Sequence, residues 1–386
     1  MLSAFVPLRL TQARTARGLT KSNLAALANV SATSISYYES GMHTPKPGIL
    51  ERIAEALKIP TDYFYQAELP ADGHLLFFRA LRRQKKQLQD QWAVYAEWIE
   101  SILKYYLQFL DFPPLNIPDF SFGKNWENVS SEMIEDAARK TREYMGLGNG
   151  PIPNLVRLVE NFGVPVVRID MDDSEDAFSC WLLGKSLPIA VLSTEVSSCR
   201  DRMSLAHELG HLVLHRHITP TESNLKILEK QAKLYASTFL VPDNGYAQDL
   251  KRVSLDAFLG LKKKWGISVA AQIMRCFQLD IIDERYRTYL MTQLSRKGWR
   301  KEEPYDDSIP LEQPNLLKES TKLILNQVGI SKDDIIASCA LYPEDIARCI
   351  GLPLEFFTPE PSILPMEDAR PNPKVIPFSK FHGSSG

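Results

Sequence analysis

The chain has 386 residues, 44% hydrophobic and 24% charged, with a formal net charge of −2. That composition suits two or three domains with cores of their own and excludes a disordered chain. No run of about 18 apolar residues occurs, which excludes a transmembrane helix, and the slight acidity confines any nucleic-acid surface to a local patch. The N-terminal apolar run breaks at Pro7 and Arg9, so no signal peptide is expected. The five cysteines, Cys180, Cys199, Cys276, Cys339 and Cys349, are scattered without CxxC spacing. They read as buried thiols of a reducing cytoplasm, where the protein is expected to reside.

The first 65 residues read as short helices. LRLTQARTARG supplies one, and LTKSNLAALANVSATSISYYESG two more around a tight turn. Thr20 and Ser31 are the expected caps, and Asn29 suits a left-handed turn. ILERIAEALKI adds a helix with Ile49, Ile53, Ala54 and Leu57 at helical spacing. Ile35 and Tyr38 face inward on the second helix of the pair, leaving Thr33, Ser36 and Tyr37 outside. Seven Lys/Arg (Arg9, Arg14, Arg17, Lys21, Lys46, Arg52, Lys58) outnumber four acids in this stretch. Residues 8–64 resemble the XRE (Cro-type) helix-turn-helix family of phage repressors. The resemblance implies that Ala32, Thr33, Ser36 and Tyr37 face base edges of double-stranded DNA, with Lys21 opening the helix that crosses the backbone. Many relatives carry Gln or Arg where Ala32 stands.

QAELPADGHL reads as a loop, and FFRALRRQKKQLQDQWAVYAEWIESILKYYLQFLDFPP as one long helix ending before Pro113. Its stripe of Trp92, Tyr95, Ile99, Ile102, Tyr106 and Leu110 is wide enough to pack on a helix or a second subunit, and a homodimer is expected. The basic run from Arg79 to Lys86 is taken as a solvated face rather than a phosphate contact. Beyond a Pro-rich linker the pattern becomes mixed. Two capped helices (SSEMIEDAARKTREYMGLG and IPNLVRLVENFG) precede a strand (GVPVVRID). AFSCWLLGKSLPIAVLS reads as two strands joined by a GKS turn.

SSCRDRMSLAHELGHLVLH then reads as a helix carrying HExxH, with His207 and His211 one turn apart on one face. Two neutral imidazoles at that spacing suit Zn²⁺, with Glu208 held beside the site without ligating. The apolar flanks bury the helix, where an uncoordinated histidine pair would be costly. A third ligand comes from one of two residues. His217 has metzincin spacing but lacks the glycine needed at position 214, which is Leu214. Glu229 lies in the apolar row of ILEKQAKLYASTFLVP with Ala232, Ala236 and Leu240, the gluzincin arrangement, and is preferred. His215 extends the histidine face without being counted as a ligand. Tyr235, Tyr246 and His217 are unranked candidates for stabilising an oxyanion, and an edge of AFSCW or LPIAVLS could hold a peptide by strand addition.

These motifs, with FFRALRR, PIPNLVRLVENFGVPVV, DAFSCW, WGISVAAQIMR and RKGWRKEEP, resemble the ImmA/IrrE zinc metallopeptidases that follow an XRE domain, over residues 8–304. The resemblance implies zinc on His207, His211 and Glu229, catalysis by Glu208, and an XRE-type repressor as protein substrate. Lys233 stands where the family often has asparagine. The expected fold is multidomain. An all-α helix-turn-helix domain (1–66) is followed by a linker and long helix (67–126). An α+β gluzincin-like metallopeptidase domain (127–304), a helical C-terminal region (305–370) and a disordered tail (371–386) complete it. The expected function is a DNA-binding transcription regulator carrying a zinc endopeptidase, with no membrane partner. The alternative is a regulator or antitoxin whose peptidase-like domain senses metal, ligand or partner without proteolysis.

Overall fold

The computed structural model describes residues 4–67, 76–78, 86–170, 177–358 and 376–377. The N-terminal unit is a helical bundle of α1 (Pro7–Ala16), α2 (Lys21–Leu27), α3 (Ala32–Glu39) and α4 (Pro47–Leu57). Thr20 and Ser31 accept hydrogen bonds from the Asn23 and Ser34 amides, capping α2 and α3, and Asn29 turns between them at φ 52°. Ile35 and Tyr38 enter the core while Thr33 and Tyr37 stay outside.

The expected long helix departs from the structure at both ends: Leu76–Phe78 form strand β1, helix α5 is described over Lys86–Tyr106, and Leu110, expected on its stripe, lies in the short strand Leu110–Asp111. Three residues are too few for periodicity to separate strand from helix, and pairing with a distant strand decides the case. The basic side chains from Arg79 to Lys86 lie outside the described residues. Of the tail at 371–386, Ile376–Pro377 (β6) pair in parallel with Leu110–Asp111 (β2), and the rest lies outside the described residues.

The middle of the chain supplies α6 (Ser131–Tyr144), α7 (Leu155–Asn161), β3 (Val166–Ile169), β4 (Ala177–Leu182), β5 (Leu187–Ser193), α8 (Ser198–Leu214) and α9 (Leu225–Leu240). The sheet order is β1-β4-β5-β3, with β4 antiparallel to both neighbours and β3 parallel to β5. The expected GKS turn joins β4 to β5, with Leu183, Gly184 and Lys185 all at positive φ. Every residue of β3, β4 and β5 is buried, as helices on both faces require. Val167, Ile169, Phe178, Cys180 and Ile189 pack with α5 and the N-terminal bundle, whereas Val166, Ala177, Trp181 and Ala190 pack with α6 to α9.

Four further helices, α10 (Asp243–Asp249), α11 (Leu255–Trp265), α12 (Val269–Gln278) and α13 (Glu284–Arg296), close the second core. The C-terminal helices α14 (Leu316–Leu323), α15 (Lys332–Cys339) and α16 (Pro343–Ile350) pack on α5 and β3 instead. Arg17 ties the N-terminal bundle to α16: its guanidinium donates to both oxygens of Asp345 at 2.8 and 2.6 Å and to the Leu57 and Lys58 carbonyls. All five cysteines are buried free thiols. Among the described residues no helix is long and apolar enough to cross a membrane.

Glu160 at the end of α7 holds the start of α14 by accepting from the Asn315 and Leu316 amides. Burial outweighs these bonds and raises its carboxyl pKa to about 7. A carboxyl harder to ionise folded than unfolded costs nothing below the unfolded pKa; the cost grows from there to the folded pKa and is constant above it. Glu160→Gln should therefore gain stability on the wild type between pH 4.5 and 7, by up to roughly 3 kcal/mol. Urea melts across that range check this, and a gap independent of pH would contradict it.

Candidate metal centre

Helix α8 presents His207, His211 and His215 at four-residue steps, one above another on a single face. All three are buried, although α8 carries them beside an apolar core. The Nε2 atoms of His207 and His211 lie 3.1 Å apart. Glu229, on α9, brings Oε2 to 3.3 Å from His207 Nε2 and Oε1 to 3.3 Å from His211 Nε2. One ligand atom from each of the three lies within 4.8 Å of the others. The donor set fits zinc: bonds of about 2.0–2.1 Å in a tetrahedron place ligand atoms about 3.3 Å apart.

Further contacts settle which nitrogen of His211 is bare. The Trp126 carbonyl can only accept, so Gln231 donates to it through Nε2 at 2.7 Å. The amide oxygen of Gln231 then accepts from His215 Nε2 at 2.8 Å. Neutral His215 is left with a lone pair on Nδ1, which accepts from His211 Nδ1 at 3.0 Å. Burial, helped by the adjacent His211, pushes the His215 pKa down to about 3 and keeps the ring neutral. His211 thus carries its proton on Nδ1 and aims the Nε2 lone pair at His207 and Glu229. Such outer hydrogen bonds fix ring orientation in metal sites.

Glu208 is buried between α8 and the sheet, where Ser179 of β4 donates to its Oε2 at 2.6 Å. His217, the other proposed third ligand, is 64% exposed and bonded to Asp119 at 2.9 Å. Its helix has ended at Leu214, and the chain carries it to the surface. Tyr246 donates to Gln272, and Tyr235 is wholly buried against Gly210. Neither expected strand presents a free edge beside Glu208, since β5 is internal and β1 covers β4. Sequence reasoning missed Ser179, Gln231 and Trp126. Two left a signal: Ser179 is polar within a wholly buried strand, and Gln231 interrupts the row of Leu228, Ala232 and Tyr235.

On α3, Ala32, Thr33 and Tyr37 are exposed and Ser36 is half-buried. Lys21, the first residue of α2, is 45% exposed with Nζ 3.2 Å from Glu39, which also binds Arg14. Arg9 is buried, and Arg14 and Arg17 are ion-paired, so part of the local positive charge serves the fold.

Residues 10–64 match the helix-turn-helix family and residues 159–277 the IrrE N-terminal-like domain. The chain joins an XRE-type helix-turn-helix domain to an IrrE/ImmA-like, metallopeptidase-like domain, the composition of a helix-turn-helix regulator. It is also similar to RghRB of Bacillus subtilis (strain 168), an uncharacterized HTH-type transcriptional regulator. The two are 29% identical over 132 residues, 34% of this chain and 84% of that protein.

The close approach of α8 and α9 at Gly210 places Glu229. A Cβ there would lie 2.9 Å from the Tyr235 ring and 3.3 Å from the Ala232 backbone. Gly210→Ala should destabilise the protein by roughly 1–3 kcal/mol and weaken zinc binding as α9 is pushed away. Thermal melts and zinc titration check this; unchanged values would show slack between the helices.

Proposed function

We propose that this chain is a DNA-binding transcription regulator whose second domain is a zinc-dependent endopeptidase acting on a protein substrate. The observation that supports the peptidase reading best is the meeting of two imidazole nitrogens from α8 and both carboxylate oxygens of Glu229 from α9. His207, His211 and Glu229 would hold the ion, with the Trp126–Gln231–His215 chain orienting His211. Zinc in such a site polarises a carbonyl and makes water acidic enough to attack near neutral pH.

Glu208 is the acid/base. Ser179 holds the carboxylate through Oε2, and Glu208 would take a proton from water and return it to the leaving amine. A repressor of the same helix-turn-helix class is the substrate that the family resemblance implies, and the N-terminal domain would hold the enzyme at DNA. Ala32, Thr33, Ser36 and Tyr37 form the base-facing surface of α3, and Lys21 contacts phosphate. The protein is read as a homodimer on DNA, in keeping with the two-fold sites such domains bind.

Elemental analysis separates ligands from base. His207→Ala and Glu229→Ala should lose bound zinc, whereas Glu208→Gln should keep it and lose peptide hydrolysis by at least a hundredfold. A wild type that binds no zinc sinks the metal reading. A Glu208→Gln chain with unchanged regulation in cells favours the sensing alternative.

The DNA surface has its own test. Lys21→Ala should weaken binding about equally across sequences and reduce the salt slope by about one. A loss confined to one operator sequence would assign Lys21 to base readout instead.

A further inference from the structure

An endopeptidase must lay an extended stretch of its substrate within reach of the acid/base. Ser179, which grips Glu208, is on β4, and that strand has one neighbour on each side. On its inner side runs β5 over six residue pairs. On its outer side runs β1, antiparallel, with Leu76 opposite Cys180, Phe77 opposite Ser179 and Phe78 opposite Phe178. The backbone at Phe77 is therefore in register with the residue that holds the catalytic carboxylate, about 4.8 Å away across the sheet. At the far edge of the sheet, β3 is separated from β4 by β5, and its Arg168 is committed to Asp201 and the Ser193 carbonyl.

We propose that Leu76–Phe78 occupies, in cis, the strand-addition edge at which the substrate peptide is held, so that cleavage requires β1 to leave β4. The proposal rests on the peptidase reading and names the substrate's form: an extended, apolar segment that pairs antiparallel with β4. Main-chain bonds supply affinity in strand addition, and alternate side chains supply selectivity. The contact is short enough to exchange. Three paired residues give few ladder bonds, each contributing a net of about 0.5–1.5 kcal/mol. β1 lies in the chain between the helix-turn-helix domain and α5, so its release is a means by which events at the DNA-binding domain could reach the peptidase.

The test uses the full zinc-loaded chain and a fluorescein-labelled peptide of residues 73–82, followed by anisotropy. Phe77→Pro removes an amide donor, and proline is barred from the interior of a paired strand. That chain should bind the peptide at least tenfold more tightly than the wild type. A second variant works without weakening the strand. Leu76→Cys places a thiol opposite the native Cys180, within the span a disulfide bridges. Its oxidised form should bind at least tenfold less peptide than its reduced form. Equal binding by the wild type, Phe77→Pro and both forms of Leu76→Cys overturns the inference. Labelled casein, offered to the same preparations, separates this from the enzyme reading. Peptide binding that differs as expected, with casein untouched by every chain, keeps the strand exchange and removes the peptidase. Casein cut equally by all, with equal peptide binding, keeps the peptidase and removes the strand exchange.

Discussion

The close packing of α8 on α9 is the constraint on which the site depends. Two histidines of one helix would give an ion two ligands, and a third would have to come from elsewhere at a fixed distance. Gly210 allows the Ala232 backbone and the Tyr235 ring to lie against α8, and Glu229, one turn before Lys233, then spans both Nε2 atoms. The small residues of that row thus let the three candidate ligands meet. A bulkier pair of surfaces would hold the same carboxylate too far from the imidazoles to share an ion with them.

Burial shapes the remaining polar groups. His215 and Gln231 lie in the core, where an unmet donor or acceptor is costly, so each must find a partner. The chain of bonds that results begins at a carbonyl with no proton to give and ends at a nitrogen with a lone pair to offer. The same rule acts on Glu208, whose buried carboxylate is met by the Ser179 hydroxyl.

Strand β4 belongs to both cores. Phe178 packs with Trp92 of α5 on the side of the DNA-binding bundle, and the next residue, Ser179, holds Glu208 on the other. The helix-turn-helix domain is itself anchored by Arg17 to Asp345 and by the Gln91 bond to the Ala16 carbonyl, both part of a continuous interface. The Arg17–Asp345 pair is largely buried, and loss of one partner would leave a charge in the interior. The two domains are thus mechanically joined, in contrast to modules on a loose tether.

By itself the sequence determined what depends on local chemistry. Caps at Thr20 and Ser31, the left-handed Asn29, the α8 spacing that aligns His207 with His211, and the β4–β5 turn all follow from short-range preferences of the backbone and side chains. It also pointed to Glu229, because a carboxylate in an apolar row needs a partner. Tertiary structure brought Glu229 to 3.3 Å from both imidazoles and carried His217 to the surface beside Asp119. It turned Phe77 and Phe78 from the expected helix into part of a strand on β4 and set the C-terminal helices between the DNA-binding bundle and the sheet. Each of these rests on contacts between residues tens to hundreds of positions apart, whose free energy appears only when both partners are folded, so no local pattern records them.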